Sequence, residues 1–518
     1  NGGQSWAVIS PDLTRNDSTK LGPSGGPITK DNTGVEYYCT IFAATESPYE
    51  RGLIWTGSDD GLVHLSRDGG ENWDNITPGD FPEWLMVNSI DPDPFNPGAA
   101  FIAGTRYKLG DYQPYLYHVT DYGNNWRLIV DGIAEEHFTR VVRADPDREG
   151  LLYAGTESGM YLSFDNGGSW APFQLNLPIV PITDLAVKEQ NLIAATQGRS
   201  LWMIDDLTPL HQLRPDMDTA TAHLFQPMNS YLMDGGQRKN LKTAGTNHPG
   251  GVMVHFFLPE TVVTDSQTVA LAFYEESGKH IRTFSTDAKD KEDKLEVEAG
   301  ANTFNWDLRY PKAKEVEGMI LWWAGLSGPE AVPGYYTVRL MTPQDTLEQP
   351  WQLKKDPRIS STISDLQARF DFMQSVNEKV SEAHQAITDI REVRKQMQPF
   401  MQRWKGQEEY KGLLMEAEAI DSVMTEVETA LYQTKNRSRQ DPLNFPIKLT
   451  NKLAHINALV GSGSFPPTEQ DRQVKETLAR QIDEQLDRFY ALREKAIPAF
   501  NKAVKARAVD VIMLKESD

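Results

Sequence analysis

The hydrophobic rhythm of the chain changes twice. Up to about residue 205, short apolar runs are broken by glycine turns. Leu53-Ile54-Trp55-Thr56-Gly57 leads into Asp60-Gly61-Leu62-Val63-His64-Leu65, and Leu152-Tyr153-Ala154-Gly155 into Gly159-Met160-Tyr161-Leu162. Brief runs bounded by glycine predict short antiparallel strands. From about 220 to 350 the runs lengthen, as in Gly251-Val252-Met253-Val254-His255-Phe256-Phe257-Leu258 and Thr268-Val269-Ala270-Leu271-Ala272-Phe273-Tyr274, with further strands predicted at 280–284, 303–308 and 335–341. This spacing predicts a small β-sandwich. After Pro357 the apolar positions advance by threes and fours, the period of a coiled-coil seam: Leu366, Phe370, Met373, Val376, Val380, Ala383, Ile387, Ile390 and Met397. A second helix carries Leu413, Ala417, Ile420, Met424, Val427 and Leu431, and another Val474, Leu478, Ile482, Phe489 and Leu492. Thr362-Ile363-Ser364-Asp365 is a capping box. With breaks at Pro399, Asp441-Pro442 and Gly461 to Pro467, the helices are expected to fold back as an antiparallel bundle.

Within the first region four tryptophans share one setting. Ser66-Arg67-Asp68-Gly69-Gly70-Glu71-Asn72-Trp73 and Ser163-Phe164-Asp165-Asn166-Gly167-Gly168-Ser169-Trp170 fit the Asp-box pattern S-x-D-x-G-x-x-W, Thr120 to Trp126 nearly does, and Asn1-Gly2-Gly3-Gln4-Ser5-Trp6 is the tail of another. Each full motif follows a strand, turn and strand, the order of a propeller blade. The expected role of Asp68, Asp121 and Asp165 is to accept backbone N–H groups within the turn, and that of Trp73, Trp126 and Trp170 to pack between sheets. The architecture expected is therefore multidomain: Asp-box β-propeller blades over 1–210, an Ig-like β-sandwich over 220–350, an antiparallel α-helical bundle over 358–505 and a tail over 506–518. Because residue 1 falls inside a motif, further blades are expected on the same precursor or on another chain.

Composition narrows the partners. The 73 acidic and 52 basic side chains leave a formal charge of −21, which repels phosphate backbones and anionic lipid, so nucleic acid is not an expected partner. No apolar run approaches the ~20 residues of a membrane-crossing helix. The single cysteine, Cys39, excludes an intrachain disulfide and reads as a buried strand thiol.

The Asp-boxes, together with Ala195-Thr196-Gln197-Gly198-Arg199-Ser200-Leu201-Trp202-Met203-Ile204-Asp205-Asp206, Ser24-Gly25-Gly26-Pro27-Ile28-Thr29 and Ile54 to Gly61, resemble the bacterial sortilin-like propeller proteins, many of which are labelled glycosyl hydrolases by similarity. The resemblance implies an exported protein, periplasmic or at the cell surface. It does not extend to the cysteine pairs of eukaryotic sortilins or to the Arg-Ile-Pro motif and arginine triad of sialidases. Asn302 to Arg309 followed by Pro333 to Leu340 resembles the Ig-like modules of bacterial surface proteins.

Glycoside hydrolysis requires two carboxylates across a cleft, one protonated and one ionised. The acids outside the Asp-boxes that follow blade strands are Asp59, Asp60 and Glu157, each of a type that also serves as a turn former. For binding, Arg106, Arg140, Arg143 and Arg199 are candidates for anionic groups, and Tyr107, Tyr112 and Trp84 for stacking on sugars or peptide side chains. No metal site is expected. Asp91-Pro92-Asp93 and Asp287 to Asp293 are acid-rich but lack EF-hand spacing, and read as solvated loops rather than Ca²⁺ sites. Peptide, protein or glycan binding is the leading expectation, a glycoside hydrolase the alternative, and the helical region a surface for a partner or a second copy.

Overall fold

The computed structural model describes residues 2–26, 30–31, 38–214, 216–233, 245–264 and 267–507. It divides into two compact units, Asn1–Met217 and Asp218–Asp518.

In the first unit a short hairpin, β1 (Ser24–Gly25) and β2 (Lys30–Asp31), precedes four small antiparallel sheets. The first contains β3 (Ile41–Glu46), β4 (Ile54–Ser58), β5 (Val63–Ser66) and β6 (Asp74–Asn75). The second contains β7 (Met86–Pro92), β8 (Ala100–Arg106), β9 (Asp111–Thr120) and β10 (Asn125–Leu128). The third contains β11 (Thr139–Ala144), β12 (Leu152–Thr156), β13 (Gly159–Ser163) and β14 (Ala171–Pro172). The fourth has three strands, β15 (Ile182–Lys188), β16 (Asn191–Thr196) and β17 (Leu201–Ile204), and is followed by the short helix α1 (Thr208–Gln212). In every sheet the strands lie side by side in chain order, and the register slips once between the first and second strands, at Ile41/Ala43, Val87/Ser89, Thr139/Val141 and Ile182/Asp184. Such a slip adds local twist. Each later sheet inserts its first strand against the first two strands of the sheet before it, which gives a propeller-like succession.

Close approach between sheets depends on glycine. A Cβ on Gly57 would lie 2.3 Å from Val87 of the next sheet, and one on Gly155 would lie 2.7 Å from Ile182. In the fourth sheet the corresponding residue is Ala195, by its register with Asp184 after the slip.

The Asp-boxes close the turns between third and fourth strands. The Ser66 hydroxyl donates to Asp68 Oδ1 (2.9 Å), and Asp68 accepts from the Asn72 backbone and side-chain nitrogens at 2.9 and 2.7 Å. Asp165 repeats this with Ser163 (2.7 Å) and Ser169 (2.9 Å). In the second sheet Tyr122 takes the place of Gly69 with a left-handed φ of 52°, and Asp121 before it is left-handed too, at 51°. A second repeat, invisible in the tryptophan spacing, is Ser47-Pro48 to Gly52, Asp93-Pro94 to Gly98 and Asp145-Pro146 to Gly150. The first side chain of each accepts from the next two free N–H groups, and the carbonyl of the closing glycine accepts from the Asp-box backbone (Gly69, Tyr122 and Asn166 N–H, 2.9–3.0 Å). The solvated loop expected at Asp91-Pro92-Asp93 is not found: Asp91 and Pro92 end β7, and Asp93 is buried at the start of this turn.

The second unit contains β18 (His223–Leu224), β19 (Ser230–Leu232), β20 (Val252–Leu258), β21 (Ala270–Glu275), β22 (His280–Ser285), β23 (Gly300–Trp306), β24 (Gly334–Met341) and β25 (Thr346–Lys355). They form a three-stranded sheet, β18-β20-β23, and a five-stranded one, β19-β25-β24-β21-β22, in which β19 runs parallel to β25. One core, centred on Phe256, Phe273, Trp306 and Trp351, draws on both sheets. The helices are α2 (Ile363–Trp404), α3 (Lys411–Leu431), α4 (Leu449–Val460), α5 (Glu469–Ala491) and α6 (Ile497–Ala506). The Thr362 capping box is formed, and Val380, Ile387, Met424, Leu453, Ile482 and Phe489 share a core. Among the described residues no helix is long and apolar enough to cross a membrane.

Three expectations need correction. Cys39 sits in a bend with φ 73° and is half-buried, because the strand begins only at Ile41. Pro399 lies inside α2, which continues to Trp404; a missing N–H near a helix end removes one hydrogen bond without stopping the last turn. Val474 is 49% exposed, and Leu486 takes the buried position in α5.

Gly57→Ala is expected to destabilise the first unit by about 1–3 kcal/mol through overpacking against Val87, measured by urea unfolding. The exposed Asp68 carboxyl is lowered from 3.8 to about 2, chiefly by the Asn72 side-chain amide. A depressed folded pKa gives stability that is present above the ordinary carboxyl range and lost as pH falls through about 2. Asp68→Asn is thus expected to lower the melting temperature at pH 7, with the difference from the parent shrinking toward pH 2.

Candidate functional site

A four-stranded meander places its first and third turns at one edge and its second turn at the other. The Asp-boxes and proline turns occupy one edge of the first unit, so the opposite edge collects the second turns and the segments leading into each first strand. Asp59, Asp60, Arg106, Tyr107, Tyr112, Glu157 and Arg199 all belong to that opposite edge.

The edge carries a row of rings and charges. Trp84, held at φ 58°, is met edge-on by Tyr38 (5.3 Å between centroids) and lies under Arg15 (5.7 Å) and Lys20 (5.9 Å). The backbone nitrogens of Trp84 and Leu85 crowd Gly61, whose φ of 86° and absent side chain let the turns of the first and second sheets meet. Arg106 ties the next turn to this one by donating to the Glu83 carbonyl (3.0 Å), while its guanidinium pairs with Asp111 (2.7 Å), which also accepts from the Tyr115 hydroxyl (2.8 Å). Tyr107 stacks on Phe138 at 5.1 Å, Tyr112 tilts against the same ring at 6.1 Å, and Arg140 covers Tyr107 and Phe138 at 5.7 and 5.3 Å. Arg140 then pairs with Glu157 at 2.6 Å. Phe138 is itself buried beneath these contacts, while Tyr112 is exposed and Tyr38, Trp84 and Tyr107 are half-buried. Tyr38, Phe138 and Arg15 were not among the expected site residues. Phe138 reaches this edge because it leads directly into β11, whereas Arg15 is brought to it by packing on Asp60.

The three candidate acids differ in setting. Asp60 is fully buried, with its carboxylate accepting from the Ser58 hydroxyl (2.5 Å) and the Arg15 N–H (2.7 Å), which makes it an anchor for the Arg15 segment. Glu157 is ion-paired. Asp59 accepts from the Thr40 N–H (2.9 Å); burial pushes its carboxyl above the usual range, Thr40 and Lys108 pull it back, and Asp60 pushes it further. Asp59 and Glu157 belong to the first and third sheets, with the second sheet's Tyr107 turn between them, and no hydrogen bond or ion pair joins them among the described residues. Arg199 turns back onto the Gly198 carbonyl (3.0 Å), apart from the row. Arg143 lies among the first strands, donating to Ser89 of β7 (2.6 Å) and to Asp184 (2.7 Å) and the Leu185 carbonyl (2.8 Å) of β15.

Among the described residues one group has the composition of a metal site: Asp145, Asp147 and His211, with ligand atoms within 4.8 Å of one another. Asp145 is already saturated. Its Oδ1 accepts the Asp147 and Arg148 N–H groups at 2.9 and 3.0 Å, and its Oδ2 meets the Tyr153 hydroxyl and His211 at 2.9 Å each. The cluster closes a proline turn and docks α1.

No protein-family model and no curated protein matches the chain. Among solved structures it is similar to YCF48 from Cyanidioschyzon merolae (20% identity, 32% of this chain and 53% of that one, TM-score 0.25). It is also similar to a GH74 enzyme from Niastella koreensis (12% identity, 60% and 53%, TM-score 0.27). A third is PorZ, a surface component of the type-IX secretion system of Porphyromonas gingivalis (10% identity, 61% and 51%, TM-score 0.21). The chain thus spans about half the length of each of these proteins.

Asp59 is expected to titrate above the ordinary carboxyl range by carboxyl-carbon NMR, and Lys108→Ala to move it higher still, since Lys108 favours the ionised form. A titration midpoint unchanged by that substitution would remove Lys108 from the site.

Proposed function

We propose that this is an extracytoplasmic recognition protein whose Asp-box propeller blades bind a peptide, protein or glycan across the row from Trp84 to Arg140. The observation that carries the reading is the run of rings, Trp84, Tyr38, Tyr107, Phe138 and Tyr112, interleaved with Arg15, Lys20 and Arg140 on one edge. Flat rings suit sugar faces and peptide side chains alike, and fixed cations orient an acidic group. On this reading the two sheets of the second unit form an Ig-like spacer and its helices a bundle that holds a partner in a surface or periplasmic assembly. Further blades on the same precursor or another chain extend the recognition edge.

A second reading, a glycoside hydrolase, is favoured by Asp59. Its burial and its lack of an arginine partner suit an acid that protonates a leaving group. A second carboxylate facing it would then come from further blades.

Screening the full chain against glycan and peptide arrays tests both. Binding is expected, with Trp84→Ala and Tyr107→Ala each weakening it roughly tenfold or more, as loss of about 1.4 kcal/mol of stacking would do. Retention of full affinity in both variants would remove the row as the binding surface. Turnover of a bound glycan that Asp59→Asn abolishes would instead establish the hydrolase.

A further inference from the structure

In the second unit, stretches far apart in sequence meet around a polar cavity of about 280 Å³, a size that suits a small ligand. Asp356 follows the last residue of β25, and Arg369 lies on the second turn of α2. Arg309 and Glu330 face each other as an isolated antiparallel pair in the connection from β23 to β24, and Ser462 and Ser464 belong to the turn after α4. Asp356 and Arg369 are only 5% and 8% exposed, so both charges have left bulk water. A charge in such a place is tolerated when an opposite charge and hydrogen bonds hold it.

The cavity wall is one carboxylate short. Glu330 Oε1 meets Arg309 at 2.9 Å and its Oε2 meets Arg369 at 3.2 Å, so a single acid is divided between two guanidiniums. Both arginines also donate to main-chain carbonyls, Arg309 to Gly328 (3.1 Å) and Arg369 to Gly463. Asp356 does not make up the difference, because Arg358, outside the cavity lining, holds its two oxygens at 2.9 and 2.7 Å. The pairing of α2 with α3 shows the arrangement completed. There Arg391 and Arg394 share Glu428, and Asp421 supplies Arg394 with a second carboxylate at 2.8 Å. Among the described residues no acid plays the part of Asp421 for Arg309 and Arg369.

We propose that this cavity binds a small monocarboxylate that carries hydroxyl groups, of the uronic acid type, with its carboxylate on Arg309 and Arg369. Planar guanidiniums match a carboxylate with paired N–H donors. Arg309 and Arg369 against Glu330 leave one positive charge in excess, Asp356 being offset by Arg358, and that excess suits a monoanion. A phosphate dianion is disfavoured by the Glu330 carboxylate beside it. Ser462 donates its proton to the Leu459 carbonyl (2.7 Å), which leaves its oxygen to accept from a ligand hydroxyl. Leu232 and Leu366 on the same wall give the carbon skeleton an apolar surface. The site lies wholly within the second unit and does not depend on what the aromatic row of the first unit binds.

Isothermal titration of the full chain with sodium glucuronate, and with glucose as its uncharged counterpart, is the test. Glucuronate is expected to bind, and glucose to bind roughly tenfold or more weakly, the scale of a lost charge-assisted pair of hydrogen bonds. Arg309→Gln, at a side chain that is 39% exposed, is expected to weaken glucuronate by roughly tenfold or more. Glu330→Gln removes the competing carboxylate and is expected to strengthen it, whereas a merely structural role for Glu330 would weaken it. Ser462→Trp fills the cavity from an exposed position without altering its charge, and is expected to abolish binding at an unchanged melting temperature, so the test stands even if a charge variant fails to fold. Trp84→Ala is expected to leave glucuronate binding unchanged. No binding of glucuronate, equal binding of glucose, tighter binding of glucose 6-phosphate, or loss of binding through Trp84→Ala and not through Ser462→Trp would each overturn the proposal.

Discussion

The first unit depends on how closely one small sheet can approach the next. The first strand of each later sheet lies against the second strand of its predecessor, at a distance that leaves no room for a methyl group at Gly57 or Gly155. Interiors pack at crystal-like density, so an extra carbon at such a point displaces a strand and not merely a side chain. The register slip in each sheet supplies the twist that makes this stacking repeatable. Where the complete sheets have glycine, the fourth has Ala195, and its outer edge carries exposed apolar residues.

The same meander sorts the turns of each sheet onto two edges. One edge holds Asp-boxes and proline turns, linked so that each turn glycine accepts a hydrogen bond from the box beside it. Carboxylates there are consumed in closing loops, which is why Asp68, Asp93, Asp145 and Asp165 are occupied locally. On the other edge Asp59, Asp60 and Asp111 hold loops as well, but without a repeated motif. Its turns vary in length, and the long ones, around Trp84 and from Arg106 to Asp111, bring aromatic rings and cations together. Arg15, Lys20, Lys108 and Arg140 lie along this edge, and Arg67 and Arg148 lie over Tyr122 and Phe164 at the other.

The second unit uses different devices for the same problem of burying polar groups. Glu428 of α3 is buried, and Arg391 and Arg394 of α2 hold its two oxygens at 2.8 and 2.6 Å, so the seam position that Arg394 takes from an apolar residue becomes an interhelical tie. A buried carboxylate left without those partners would be strongly destabilising. In the β region Tyr336 stacks on its cross-strand partner Trp351 at 5.1 Å within the five-stranded sheet, and Trp306 stacks on Phe273 at 4.4 Å, joining the two sheets through flat faces.

By itself the sequence determined the local elements, because strand runs, glycine turns, Asp-boxes and the three-four helical period are short-range patterns set by backbone geometry. Thr362 with Asp365, and Ser66 with Asp68, are readable as partners because only a few residues separate them. The row from Trp84 to Arg140 was legible in part, through Trp84, Tyr107, Tyr112 and Arg140. It was not legible that Tyr38, Phe138 and Arg15 join it, that Arg199 stands apart, or that Asp60 is an anchor. Those outcomes depend on which turn faces which edge and on how sheets distant in sequence stack. Only the tertiary structure decided them, since a side chain's neighbours across sheets follow from packing and leave no periodic trace along the chain.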